Sequence, residues 1–360
     1  MAITVRVDLG ERGYDIEIGH GNLAGIATFI TRRRKCTHVV IITDDNVGPL
    51  IADAVAGPLR LAGVRPDVLT IPPGESSKSV AQAERLWNDL LRLGADRTTV
   101  IVALGGGVVG DLAGFVAATY GRGLTFVQIP TTLLAQVDSS VGGKVGVNLP
   151  AAKNIVGAFW QPAGVLIDLD VLRTLPEREY RSGLAEVVKY GVILDAGFFA
   201  YLEANIDALN AREYGVLEHV VATSCQLKAR IVQQDEREES GLRAVLNYGH
   251  TFCHAIESVA GYGQLLHGEA VAIGMICASH LAELLGCTGA DATSRQRALL
   301  EKLRLPISPP ALDENQLLAA MARDKKTEHG RMRFVLPTKI GHVEIVGDVD
   351  PAIVRRVLHM

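Results

Sequence analysis

No apolar stretch in the 360 residues runs uninterrupted for the thickness of a bilayer, and the N-terminus has neither the basic n-region nor the apolar h-region of a signal peptide. A membrane partner is therefore not expected. There is no Cys-x-x-Cys, and the five cysteines (Cys36, Cys225, Cys253, Cys277 and Cys287) are scattered and odd in number. They read as reduced thiols in a cytoplasmic protein. A strong charge excess is also missing. The formal net charge of −4 argues against general nucleic-acid binding, and Arg32–Arg33–Arg34–Lys35 reads as the solvated end of a helix. No internal repeat and no low-complexity linker marks a boundary. What is present is ordinary globular composition, 48% hydrophobic and 21% charged, at a length that favours two domains with a core each.

The first half alternates short β-rich runs with helical patterns. Candidate strands are Ile3–Val7, Val39–Thr43, Val68–Ile71, Val100–Leu104, Leu124–Ile129 and Val165–Asp168, with helical periodicity between them as in Val80–Leu93. This alternation predicts an α/β domain with a mostly parallel sheet over residues 1–175. From about residue 175 the texture changes to long amphipathic runs, Glu179–Val192, Tyr214–Asp235 and Gly268–Leu285, so 176–360 is expected to be mainly helical. One hairpin is expected there, Met332–Leu336 with His342–Ile345, split by Pro337–Gly341.

Tyr248–Gly249–His250–Thr251–Phe252–Cys253–His254, followed by His267–Gly268–Glu269, concentrates imidazole. His250 and His254 are four apart, hence on one helix face, and His267 is one short loop away. With Glu186 upstream they offer a nitrogen and oxygen set that leaves a coordination position open, as a catalytic metal requires. The spacing alone serves equally well for capped or solvated helix histidines.

Leu104 ends a strand-like run, and Gly105–Gly106–Gly107–Val108–Val109–Gly110–Asp111 follows at once. This fits Gly-x-Gly-x-x-Gly in a strand–turn–helix setting, where small residues and a helix N-terminus suit a pyrophosphate. The acidic residue that should follow about 20 positions later to bind ribose is absent from Thr125–Thr132. Asp44–Asp45–Asn46, at the end of an earlier strand, is the alternative. Arg122, Lys144, Lys153, Lys189, Lys228, Arg243 and Lys325–Lys326 lie mostly near glycine-rich or loop-like segments and suit a phosphate or carboxylate, although any one of them alone reads as a surface charge.

In this order, Pro73–Lys78, Gly105–Asp111, Pro130–Lys144, Lys153–Asn154, Gly183–Lys189, Arg243–His254, His267–Glu269 and Asp324–Lys326 resemble the 3-dehydroquinate synthase family of sugar-phosphate cyclases. The resemblance covers essentially the whole chain. It implies a Rossmann-like NAD-binding N-terminal domain, a helical metal-binding C-terminal domain with the active site between them, NAD, zinc or cobalt, a sugar-phosphate substrate and a homodimer. Carried over residue by residue, it gives the metal to Glu186, His250 and His267, and places His254 beside the substrate, which displaces the spacing argument. It points NAD to Asp44, Asn46, Glu75, Lys78, Gly106, Gly107, Val108, Asp111, Thr131, Thr132, Lys144, Lys153 and Thr174. Substrate contacts are implied for Arg122, Asp138, Lys144, Asn154, Lys189, Lys228, Arg243, Asn247, His254 and Lys325, and proton transfer for Glu239. Cys253 stands where many members carry Gly. The implied reaction turns 3-deoxy-D-arabino-heptulosonate 7-phosphate into 3-dehydroquinate and phosphate. Rival readings are a sister cyclase with another substrate, a metal-dependent polyol dehydrogenase, and a catalytically silent paralogue.

Overall fold

The computed structural model describes residues 3–150, 152–261, 263–323 and 332–359. The chain divides into two compact units, Met1–Pro176 with Ser224–Arg237, and Glu177–Thr223 with Glu238–Met360.

The first unit carries β1 (Ile3–Val7), β2 (Tyr14–Gly19), β3 (His38–Asp44), β4 (Arg65–Ile71), β5 (Val100–Gly105), β6 (Thr125–Pro130), β7 (Lys144–Leu149), β8 (Ala152–Phe159) and β9 (Gly164–Asp168). Seven of these form one sheet in the order β1-β2-β9-β6-β5-β3-β4, parallel except for the β1–β2 pair. Its helices are α1 (Ile26–Thr31), α2 (Gly48–Leu61), α3 (Val80–Arg92) and α4 (Gly107–Thr119). Both sheet faces are covered, which explains why the central strands are continuous apolar runs rather than alternating ones. Val40, Ile42, Ile101 and Ala103 join a core with Leu86, Leu90, Leu112 and Val116 of α3 and α4. Val39, Ile41, Val100 and Val102 pack the other way, on Ile26, Phe29, Val55 and Leu59 of α1 and α2. Ser79 starts α3 by accepting the Gln82 N–H at 3.2 Å.

The mostly parallel sheet agrees with expectation, with additions. β2 was not among the expected strands, yet it has the period-2 signal: Tyr14, Ile16 and Ile18 are buried, while Asp15 and Glu17 pair with Arg6 and Arg33. Arg33 is not a solvated helix end; its guanidinium lies 3.7 Å from the Phe29 ring centroid. β7 and β8 form an antiparallel hairpin from a stretch read as loop-like, because Gly142, Gly143, Gly146 and Gly157 dilute the strand pattern. Gly146 and Gly157 face each other there, and a Cβ on Gly157 would stand 2.3 Å from Val145 O.

The second unit is built on α5 (Glu177–Leu194), α6 (Ala196–Ala204), α7 (Ile206–Asn210), the start of α8 (Tyr214–Gln234), α9 (His250–Ala260), α10 (His267–Leu284), α11 (Ala290–Lys302), α12 (Glu314–Arg323) and α13 (Pro351–Leu358). The expected hairpin is present as β10 (Arg333–Lys339) and β11 (His342–Gly347). β10 runs through Pro337 by means of a bulge between Pro337 and Lys339, so only Ile340–Gly341 turns.

The returning segment Ser224–Arg237 is tied to the first unit by Glu236. Arg12 donates to both its carboxylate oxygens, at 2.7 and 3.2 Å, and Gln161 donates at 3.0 Å. The hydrogen bond from Arg12 holds the Glu236 carboxyl below its usual pKa. A depressed folded-state pKa stabilises above the ordinary carboxylate range and ceases to do so as pH falls through the folded value. Glu236→Gln should therefore lower the urea midpoint at neutral pH, with the difference from the parent closing below about pH 4; a gap that persists at acid pH would refute the ionic origin.

Candidate active site

Glycines bring the backbones that carry the candidate ligands of the second unit into contact. Directly after His267, a Cβ on Gly268 would stand 1.8 Å from Ser182 O of α5, and the Gly268 N–H donates to Ser182 Oγ at 3.0 Å. Where α10 crosses α9, a Cβ on Gly274 would meet Gly249 O at 2.2 Å. Gly249, immediately before His250, has φ +78°, a left-handed conformation that glycine adopts without a Cβ penalty. Glu186 lies four residues after Ser182, on the same face of α5.

These contacts bring Glu186, His250 and His267 together, with their ligand atoms all within 4.8 Å of one another. Glu186 Oε1 is 3.6 Å from His250 Nε2 and 3.8 Å from His267 Nε2. The carboxylate is fully buried and neither oxygen is hydrogen-bonded, although the ammonium of Lys189, 2% exposed, lies against Oε2. Buried acceptors are normally satisfied, and a divalent cation would complete this arrangement. His250 Nδ1 is 3.1 Å from Tyr248 O, a contact that places the proton on Nδ1 and leaves the Nε2 lone pair facing Glu186. His254 is exposed and outside this cluster, its ring centroid 5.6 Å from that of His250. On the far side of His267, Nδ1 is 3.7 Å from Glu257 Oε1 and 3.9 Å from Cys253 Sγ. Burial pushes the Cys253 thiol pKa up, so it stays protonated at neutral pH.

Elsewhere in this unit, Arg243 is 3% exposed and sits 3.5 Å from Glu238. Asn247 is half-buried and Glu239 exposed. Lys325 lies outside the described residues.

In the first unit the strand order reverses between β3 and β5, a topological switch point, where open α/β sheets take ligands at the carboxyl ends of the strands. Asp44 closes β3, and Gly106–Gly107 link β5 to α4. The upstream acidic group considered for the ribose is thus at the end of the neighbouring strand. Asp44 Oδ1 accepts the N–H groups of Asn46 and Val47 at 2.9 Å each. Cβ atoms on Gly106 and Gly107 would come within 3.1 Å of Thr132 and Ser139. Lys78, 5% exposed, reaches Asp111 Oδ2 at 2.5 Å and also Asn154 Oδ1. Asn148 donates to Glu75 at 2.7 Å and accepts the Asn154 N–H at 2.9 Å. Thr131 Oγ1 is buried without a hydrogen bond. Lys228 donates to the Asp138 carbonyl at 2.6 Å and pairs with its carboxylate at 2.9 Å. Lys144 and Lys153 lie on the β7–β8 hairpin, and Thr174 Oγ1 donates to Val171 O at 3.2 Å. Arg122 and Asn154 have φ +68° and +54°, backbone conformations that non-glycine residues hold at a cost and that gather at functional sites.

Sequence models of the 3-dehydroquinate synthase N-terminal and C-terminal domains match residues 68–182 and 183–327. A 3-dehydroquinate synthase of Rhodopirellula baltica is 51% identical over 352 residues, covering 96% of this chain and 94% of that protein. One of Geobacter metallireducens is 52% identical over 343 residues, covering 95% of each. The chain belongs to the 3-dehydroquinate synthase family. Among solved structures, a 2-deoxy-scyllo-inosose synthase complexed with carbaglucose-6-phosphate, NAD⁺ and Co²⁺ superposes with a TM-score of 0.90 at 27% identity over 99% of both chains. The 2-epi-5-epi-valiolone synthase from Streptomyces hygroscopicus with NAD⁺ and Zn²⁺ bound gives 0.88 at 30% identity over 96% of both.

The α/β fold expected of this family, with its further helices, is the fold observed. Sequence reasoning passed over Glu257, although its position seven residues after His250 and four after Cys253 puts it on their helix face. It also passed over the glycine contacts, which only a tertiary structure reveals. Gly268→Ala should lose bound metal as completely as His267→Ala, whereas His254→Ala should retain it, as read by elemental analysis of purified proteins. Full metal retention in Gly268→Ala would show that the backbone contact does not set the ligand spacing.

Proposed function

We propose that the chain converts 3-deoxy-D-arabino-heptulosonate 7-phosphate to 3-dehydroquinate and phosphate. The observation that carries this reading is the buried Glu186, its oxygens outside any hydrogen bond and two imidazole nitrogens beside it, in a chain about half identical to 3-dehydroquinate synthases over nearly its whole length. The net chemistry is oxidation of a ring alcohol, β-elimination of phosphate, re-reduction, ring opening and intramolecular aldol closure. When bound, NAD⁺ takes up and returns the hydride, and a divalent zinc or cobalt ion acidifies the alcohol and polarises the ketone.

The chain's own residues have separable roles. Glu186, His250 and His267 hold the cation. Asp44 and Asn46, the Gly106–Gly107 turn with Val108, and Glu75, Lys78, Asp111, Thr131, Thr132, Lys153 and Thr174 hold the dinucleotide. Arg122, Lys144, Asn154, Lys189, Lys228, Arg243, Asn247 and Lys325 fix the anionic ends and hydroxyls of the substrate, and Asp138 is oriented for this by Lys228. His254 and Glu239, both exposed, move protons. We further propose a homodimer in the cytoplasm; its five unbridged cysteines suit a reducing compartment.

The sister cyclases are the second reading, because their structures superpose so closely. The higher identity to 3-dehydroquinate synthases favours the heptulosonate substrate. Phosphate release should greatly exceed substoichiometric NAD⁺, with no lasting NADH absorbance. Phosphate limited to one per NAD⁺, or NADH that accumulates, would overturn the cyclase reading; release only from a different sugar phosphate would favour a sister enzyme. His254→Ala should lower kcat by roughly 10²–10⁴-fold with metal retained.

A further inference from the structure

The two imidazoles assigned to the cation are held differently. His250 is fixed by a backbone carbonyl, Tyr248 O at 3.1 Å from Nδ1. His267 Nδ1 has Glu257 Oε1 at 3.7 Å and Cys253 Sγ at 3.9 Å. Cys253 Sγ also lies 3.7 Å from the other oxygen of Glu257, Oε2. Cys253 and Glu257 are one turn apart on α9, so one helix face supplies both groups. Cys253 is fully buried, and the side chain of Glu257 is 13% exposed, so that water competes little for either.

We propose that Glu257 is a positioning residue for the metal ligand His267, and that Cys253 in turn orients Glu257. The inference rests on the assignment of the cation to Glu186, His250 and His267. A ligand imidazole must present one nitrogen to the cation and donate its other N–H to an acceptor, which fixes the tautomer and ring angle and makes the ligand more basic. Glu257 Oε1 stands on the Nδ1 side, while Nε2 faces Glu186. The separation of 3.7 Å exceeds a hydrogen bond; a cation held at Nε2 would make Nδ1–H a stronger donor and so favour its pairing with the carboxylate. The Cys253 thiol donates to Oε2 and so aims Oε1 at the imidazole. This gives Cys253 a role that requires neither nucleophilicity nor direct ligation.

The test uses the full-length protein stripped of metal, with zinc affinity measured by competition against a chromophoric chelator. Glu257→Ala should weaken zinc binding by roughly 10- to 100-fold. Glu257→Leu, which fills the space without an acceptor, should do the same, and Glu257→Gln should restore most of the affinity. Cys253→Gly should weaken binding by a smaller factor than Glu257→Ala. The thermal midpoints of the metal-free variants should stay close to that of the parent, which a merely structural role would not allow. His250→Ala separates the two levels of the argument. If it loses zinc while Glu257→Ala and Glu257→Leu bind like the parent, the positioning role is wrong. If His250→Ala also binds like the parent, the ligand assignment itself fails. Cys253, Glu257 and His267 also form a three-donor group of their own. A thiolate-to-cobalt charge-transfer band in the cobalt-loaded parent, lost in Cys253→Ser, would make Cys253 a ligand and overturn the proposal.

Discussion

The backbone contacts at Gly268 and Gly274 are the constraint on which the second unit depends. Helices separated by ordinary side chains pack with axes about 8–10 Å apart. Where a Cβ would fall 1.8 Å from Ser182 O or 2.2 Å from Gly249 O, no side chain separates the backbones at all. Coordination bonds tolerate errors of only about 0.2 Å. A candidate ligand placed beside a backbone contact inherits the precision of that contact, because few rotatable bonds separate the two. His267 is adjacent to Gly268 and His250 to Gly249, and Glu186 is one turn from Ser182. Gly274 costs the interior of α10 about 1 kcal/mol of helix propensity relative to alanine, which the crossing offsets.

The first unit solves a different problem, that of bringing loops together without a rigid crossing. Its sheet is buried on both faces by α1–α4, which makes the central strands stiff and leaves polar groups to gather at their ends. Reversal of strand order between β3 and β5 opens the sheet edge where Asp44 and the glycine turn stand side by side. Lys78 reaches the same region from the segment after β4, and its ammonium needs both Asp111 and Asn154 because it is only 5% exposed. The left-handed backbone at Asn154 is held in part by Asn148, which accepts its N–H.

How much of this was legible in the sequence follows from the range of each signal. Val100–Leu104 and Val39–Thr43 were readable as strands because burial on both faces leaves an unbroken apolar run. The β7–β8 hairpin was not, because Gly146 and Gly157 pair where β-branched residues would have announced a strand. His250 and His254 share a helix face by spacing, yet spacing does not say which one turns toward Glu186, some 64 residues upstream. The family resemblance assigned His267 in place of His254, and the structure clusters His267 with Glu186 and His250. Counting forward from the glycine turn finds no acidic residue, whereas the fold sets Asp44 at the end of the adjacent strand β3 beside that turn.

Charge at the cluster bears on why this donor set suits the chemistry. Glu186 contributes one negative charge and the two imidazoles are neutral when they ligate, while Lys189 contributes one positive charge against Glu186 Oε2. Glu257, 3.7 Å from His267 Nδ1, adds a second negative charge outside the candidate ligand set, so the protein around the cluster is left with one net negative charge, and a divalent ion held there would keep most of its own. A site with two or three carboxylates would spend that charge on its ligands. A cation left with its charge lowers the pKa of a coordinated hydroxyl most effectively and favours an anionic substrate at the same place. Burial of Lys189 to 2% exposure keeps its charge close to the carboxylate instead of letting solvent screen it.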